Sequence, residues 1–316
     1  MSDEYDYKKL FSQINDSVIK NIFSTDTPLD KLLDELKQED ILVPSKSAQV
    51  PFFASIRDYT GAYYNNDTQN IWIIKRLADE ELCQARLGMF VYFLNHFTST
   101  ISAPSIVAKI NNEYYRASKI IPRTEQLSGA PYQENQQLTA QLALDLINSW
   151  IYFDEDRNPN NYLIHYNSHN IPVVVDIDFS NVDLLTDEMK IEGRDDTFGW
   201  ERKEKTRYMT PLKNEQFYEY SFDFYKTRLD KFKQLDKEIL RSIGKVVFHD
   251  DYDEKGTDIV EQISTNILSR IDYVYSYFES WFNDPEKRKL LQKRTKQEMK
   301  DEYHLMGRFF NETLNQ

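Results

Sequence analysis

Three groups of polar residues stand at spacings that suit one chemistry. Asp156 and Asn161 lie five positions apart in Asp154-Glu-Asp-Arg-Asn-Pro-Asn-Asn161, and Pro159 forbids a continued helix there, so both belong to a loop. After a short hairpin pattern comes Asp178-Phe179-Ser180, at the end of the apolar run Ile171–Ile177. Upstream, Lys75 ends the run Asn70-Ile-Trp-Ile-Ile-Lys75, and Glu81 stands early in the next helical pattern. One carboxylate to orient a hydroxyl, an amide oxygen and a second carboxylate to hold magnesium, and a strand lysine held by a helix glutamate are the parts that phosphoryl transfer asks for. Magnesium prefers such oxygen-only ligands. Gly61, in the turn pattern Arg57–Ala62, is a point where a backbone could approach phosphate closely. Each role has a rival: Asp154 for Asp156, Glu80 for Glu81, and Asp176 for Asp178. Residues two apart on a strand share a face, so Asp176 and Asp178 are both expected to line the cleft.

The elements that must position these residues follow from periodicity. Residues 5–40 have helical spacing and divide at Pro28 into two short helices. Val50–Ile56 reads as a strand, and Tyr63-Tyr64 with Asn70–Lys75 as a hairpin. Residues 79–97 predict an amphipathic helix capped by Asp79, with Leu82, Ala85, Met89, Phe90, Phe93 and Phe97 on its apolar face and Cys83 buried beside it. Ser105–Ile110 and Tyr114–Ile121 predict strands, and Pro122 ends the extended run. Residues 136–153 predict a helix, Tyr162–His165 and Ile171–Ile177 a second hairpin, and the chain beyond about 215 is mostly helical, most clearly over 258–282. A strand-rich first lobe and a helical second lobe meeting near 122–136 is the simplest arrangement.

Composition closes off other classes. The chain has 316 residues, 40% hydrophobic, which is ample for one large core or two joined lobes. The single cysteine excludes a disulfide framework and a cysteine-based zinc cluster. The five histidines show no ligand spacing. A net charge of −13 argues against general binding to nucleic acid or to a membrane surface. No run approaches the 18 apolar residues of a membrane span, and the acidic start lacks the pattern of a signal peptide. The expected location is the cytoplasm, or a host cytosol reached by secretion without a cleaved signal. Two basic clusters interrupt the acidic whole: 202–207, and 286–300 with seven basic and two acidic residues. Each reads either as a solvated face or as a site for an anion such as an inositol phosphate or phosphoinositide.

The order Gly61…Lys75…Glu81…Asp156-Arg-Asn-Pro-Asn-Asn161…Asp178-Phe-Ser resembles the atypical protein-kinase-like fold of HipA-like kinases, phosphatidylinositol kinases and actin-fragmin kinase. Those families carry Asp-Arg-His-x-x-Asn where other protein kinases carry His-Arg-Asp, and Asn158 takes the histidine position here. The Gly61–Lys75 hairpin is similar to the first strands of HipA-like domains, and Ile263–Phe278 to the helix that closes their second lobe. The resemblance covers roughly residues 48–285 and implies a bilobal α+β fold. A helical extension would occupy 1–47, a small β-rich N-lobe 48–122, a larger helical C-lobe 123–285 and a basic helical extension 286–316. It further implies ATP and magnesium, with manganese as an alternative. Lys75 would contact ATP phosphates, with Gly61 near them, and Glu81 would pair with Lys75. Asp156 would be the catalytic aspartate, Asn161 and Asp178 would hold the metal, and Ile120-Ile121-Pro122 would give main-chain hydrogen bonds to adenine. There is no Gly-x-Gly-x-x-Gly loop, Ser180 replaces the glycine of Asp-Phe-Gly, and no Ala-Pro-Glu follows. The function implied is transfer of phosphate to Ser or Thr of a protein, in the manner of a bacterial toxin or effector. A phosphoinositide or inositol-phosphate kinase and a pseudokinase binding module are the alternatives.

Overall fold

The computed structural model describes residues 42–44, 61–65, 71–110, 113–121, 123–154, 156–166, 170–187, 211–212, 216–217, 219–248 and 254–286. The helices expected over 5–40, the strand at Val50–Ile56 and nearly all of both basic clusters lie outside these residues. The first sheet contains β1 (Leu42–Pro44), β2 (Gly61–Asn65), β3 (Ile71–Arg76), β4 (Ser105–Ile110) and β5 (Glu113–Lys119), antiparallel in the order β1-β2-β3-β5-β4. Helix α1 (Asp79–Thr98) runs between β3 and β4. A second sheet, β6-β7-β8, is built from Thr124–Gln126, Tyr162–Tyr166 and Pro172–Asp176. Helix α2 (Gln136–Tyr152) precedes β7, and α3 (Phe222–Lys233), α4 (Lys237–Val247) and α5 (Glu254–Asn283) follow β8. This is the α+β plan expected, strand-rich first and helical later. Of the turn expected over Arg57–Ala62, residues 57–60 lie outside the described residues, and its last two residues are strand instead: Gly61 and Ala62 belong to β2, paired with Ile74 and Ile73.

Helix α1 departs from its expected amphipathic form. From Ala85 to His96 every residue is buried, whereas Leu82 and Phe97 are only half-buried. The reason is its position: β4 packs on one side and α3 and α4 on others, so no face is left for water. Its first turn alone projects outward, and Cys83 there is exposed rather than buried. Ala78, not Asp79, is the residue that caps it. Helix α2 is likewise buried along its whole length from Leu138 to Tyr152, started by Asn135, whose side chain accepts from the Gln137 and Leu138 amides. Helix α5 keeps the expected stripe, with Ile263, Ile267, Ile271, Val274 and Phe278 all buried.

The two halves are joined beside the loop that carries Asp178. Strand β8 is an apolar β-branched run, Val173-Val174-Val175, buried on both faces. It would be an open edge of its sheet, but the segment after α1 covers its end. Asp176 N donates to Ile101 O at 2.7 Å, and Ala103 N donates to Asp176 O at 2.9 Å. The chain leaving α1 therefore fixes the end of β8 two residues before Asp178.

Candidate active site

The site is assembled from strands β3 and β5, the start of α1 and two loops, one with Asp156 and Asn161 and one with Asp178. Strand β3 ends with Lys75 and Arg76, and α1 begins three residues later. That short connection folds the helix N-terminus back onto the strand, and Lys75 Nζ donates to Glu81 Oε1 at 2.8 Å. The other oxygen of Glu81 accepts from Ala78 N at 3.0 Å, so the helix end and the lysine hold the carboxylate together. The Lys75 hydrogen bond, followed by that from Ala78, lowers the Glu81 pKa below its ordinary value. The ion pair is half-exposed, 28% and 41% for the two side chains, so water screens it and its hold is mainly one of geometry.

Asp178 lies against the same sheet. In the antiparallel register of β3 and β5, Lys75 faces Arg116, and Arg116 Nη1 lies 3.5 Å from Asp178 Oδ1. Directly opposed residues share a face, so Lys75 and Arg116 stand side by side above Asp178. Helix α1 grips the loop from the other side. Gln84 Nε2 donates to Val182 O at 2.7 Å. A Cβ on Gly88 would sit 3.1 Å from Phe179 O, so glycine is what lets the helix lie this close to the Asp178-Phe179 backbone. Glu81, Gln84 and Gly88 thus form one helical face turned to the cleft and its loop.

The Asp156–Asn161 loop is held from within by Arg157. Its guanidinium is buried and donates to Asp154 Oδ2 at 3.3 Å, Ile177 O at 3.0 Å, Asn161 O at 2.9 Å and the Tyr162 hydroxyl at 3.3 Å. Asp145 and Asp176 each lie 3.9 Å from it. Tyr162 in turn donates to Asp145 at 2.5 Å. One arginine thereby ties the carbonyls on both sides of the site, Asn161 in one loop and Ile177 beside Asp178 in the other. Three buried carboxyl groups lie around this one cation, all of them out of water. Burial therefore raises Asp154 to about 6. Burial, and then the neighbouring Asp145, raise Asp176 well above the carboxylate range.

These facts separate the rivals. Asp176 is 3% exposed and belongs to the Arg157 cluster; it does not line the cleft. The alternation rule fails because β8 ends at Asp176 and Asp178 has φ 55°, in the left-handed region, which turns its side chain out of the strand's pattern. Asp154 is buried too, accepting from Asp156 N at 3.2 Å. Asp156 instead presents its carboxylate to two amides: Asn158 Nδ2 at 2.6 Å and Asn181 Nδ2 at 3.1 Å. Asn161 Nδ2 donates to Asp156 O at 2.5 Å, which directs the amide oxygen away from that contact. Ile177 N donates to Asn161 O at 3.1 Å, placing Asn161 and Asp178 one residue apart across the two loops. An amide oxygen and a carboxylate so placed fit a magnesium ion that takes its remaining ligands from phosphate and water.

Ile120 and Ile121 leave β5 on the way to β6. Ile121 is buried, and its carbonyl accepts from Thr124 Oγ1 at 3.0 Å. Gly61 sits in β2, opposite Ile74, the residue before Lys75. Arg116 and Asn181 belong to no motif of the sequence. Arg116 becomes visible only through the β3–β5 register, and Asn181 only through the fold of its loop onto Asp156.

No family model matches the sequence, and comparison with curated proteins gives no match. Among solved structures the chain is similar to the Helicobacter pylori proinflammatory kinase CtkA, with 11% identity over 70% of this chain and 91% of that one, at a TM-score of 0.43. It is also similar to a chain in the complex of Shewanella oneidensis MR-1 HipA, HipB and operator DNA, with 8% identity over 69% of this chain and 61% of that one, at a TM-score of 0.37.

Proposed function

We propose that the protein is a kinase that transfers the γ-phosphate of ATP to a Ser or Thr hydroxyl of a protein. The observation that carries this reading is the convergence of Lys75–Glu81 and Asp178 on one pair of strands, with Asp156 held in the adjoining loop by the same arginine that braces Asp178. Lys75, fixed by Glu81, is the cation for the phosphates. Asn161 and Asp178 would hold a magnesium ion, which would supply charge neutralisation at the phosphates. Asp156 accepts a hydrogen bond from the attacking hydroxyl; the new O–P bond forms, the bond to the ADP oxygen breaks, and the hydroxyl proton passes to Asp156. Asn158 and Asn181 fix the Asp156 carboxylate in direction, so catalysis rests on positioning and charge rather than on a covalent intermediate.

The test is incubation of the full chain with γ-labelled ATP and magnesium, alone and with a mixed protein substrate such as casein. Label on serine or threonine, lost in Asp156→Asn and in Asp178→Asn, supports the proposal. Label equal in wild type and both variants would mean that this site does no chemistry. Label appearing on phosphoinositide vesicles instead of protein would reassign the acceptor, and ATP binding without transfer to either would reduce the site to a binding module.

A further inference from the structure

Arg116 has no role in the reading above, yet it stands in the middle of the site. It faces Lys75 across the β3–β5 register and lies 3.5 Å from Asp178 Oδ1. Its charge also reaches Glu81, where it adds to the effect of Lys75. The cleft thus holds two cations on adjacent strands and two carboxylates below them. The pairings are unequal: Lys75 holds a carboxylate fixed on a helix, whereas Arg116 holds the very carboxylate assigned to the metal. Magnesium takes a carboxylate oxygen at about 2.0–2.1 Å and demands tight geometry. A divalent cation on the same carboxylate repels the guanidinium and weakens its hold. Arg116 is 29% exposed, on a side chain long enough to swing, and its planar fork matches a phosphate as well as a carboxylate.

We propose that Arg116 is a second phosphate-binding cation of the cleft and exchanges partners, bonding to Asp178 until metal takes that carboxylate and then to the nucleotide phosphates beside Lys75. This inference rests on the kinase reading of the same site. It has a signature that a merely structural role would not give. Arg116 competes with metal alone but assists metal-loaded nucleotide, so its loss moves the two affinities in opposite directions.

The experiment measures two equilibria on the full chain: Mn2+ alone by electron paramagnetic resonance, and ATP with magnesium by calorimetry. In Arg116→Gln, Mn2+ alone is expected to bind about two- to fivefold tighter, the range of a half-exposed ion pair. ATP with magnesium is expected to bind about tenfold weaker, as for loss of a charge-assisted hydrogen bond. Asp178→Asn in the same background should erase the Mn2+ difference. Should Arg116→Gln fail to fold, Arg116→Lys carries the test: it keeps the charge without the fork, so nucleotide binding should weaken while Mn2+ binding stays as in wild type. Wild type that binds ATP with magnesium while its Arg116 variant binds it equally well, or two affinities that shift the same way, overturns the inference and leaves the kinase reading standing. Wild type that binds no nucleotide overturns both.

Discussion

Asp176 and Asp178 are two residues apart and live in different solvents. Asp176 is buried at the end of β8 with Asp145 and Arg157, its main chain bonded on both sides to the segment after α1. Asp178 is 43% exposed, in a left-handed backbone conformation, against Arg116 of the other sheet. The same contrast separates Asp154 from Asp156 in the preceding loop, where the first is buried on Arg157 and the second is turned to two amides at the surface. In each loop one carboxylate anchors and the next is presented. The buried set pays desolvation to fix the backbone, and the fixed backbone aims the exposed set.

Substitutions on the two sides of this contrast should behave differently. The largest effect is expected from the presented pair. Asp156→Asn and Asp178→Asn should each lower transfer by about 10²–10⁴-fold, the range for a positioned acid–base or charge-stabilising group, with an unfolding midpoint close to wild type. Steady-state transfer assays beside urea titrations check this. The anchoring set should behave in the opposite way. Arg157→Met strands the buried carboxylates and should cost about 3–5 kcal/mol of stability, read by urea unfolding. Comparable stability in the two classes of variant would erase the distinction.

The pH dependence of stability probes the anchors directly. Asp154 has a pKa of about 6 in the fold against 3.8 ordinarily, so the folded state binds the extra proton. Its contribution to stability is present below about pH 4 and is lost as pH rises through 6, by about 3 kcal/mol. Asp154→Asn, which cannot ionise, should flatten this part of the urea-midpoint profile between pH 4 and 6.5. A profile unchanged by the substitution would place the titration elsewhere.

Two smaller effects test how α1 couples the sets. Gly88→Ala presses a methyl on Phe179 O, and the helix-propensity gain of alanine offsets part of the strain; a net loss of about 1 kcal/mol is expected, with transfer falling by more than that loss explains. Glu81→Gln breaks a screened, half-exposed pair, so stability should change by less than about 1 kcal/mol while the KM for ATP rises. A KM equal to that of wild type would mean that the pair does not set the position of Lys75.

Much of the plan was legible from pattern. The strand at Ser105–Ile110, the helix over 136–153, the second hairpin and the long apolar stripe of α5 follow from periods of two and of three to four residues, which report burial on one face. Where an element is buried on every face the pattern misleads. Helix α1 read as amphipathic because Leu82 and Phe97 extend its stripe, yet its middle is enclosed by β4, α3 and α4. Cys83 departs for the opposite reason: it stands in the first turn, and a helix face near a terminus need not share the burial of its centre.

The residue types and spacings of the chain set the inventory by themselves: a strand lysine followed by a helix glutamate, a prolyl loop with an aspartate and an asparagine, and a second aspartate after a hairpin. These are local facts, fixed by short-range sterics and by which side chains carry charge. Which aspartate of each pair faces water, and that Arg116 stands beside Lys75 and against Asp178, depended on strand register and on one positive φ angle. Those are long-range outcomes, decided when the two sheets and α1 pack together and the buried arginine finds its carboxylates.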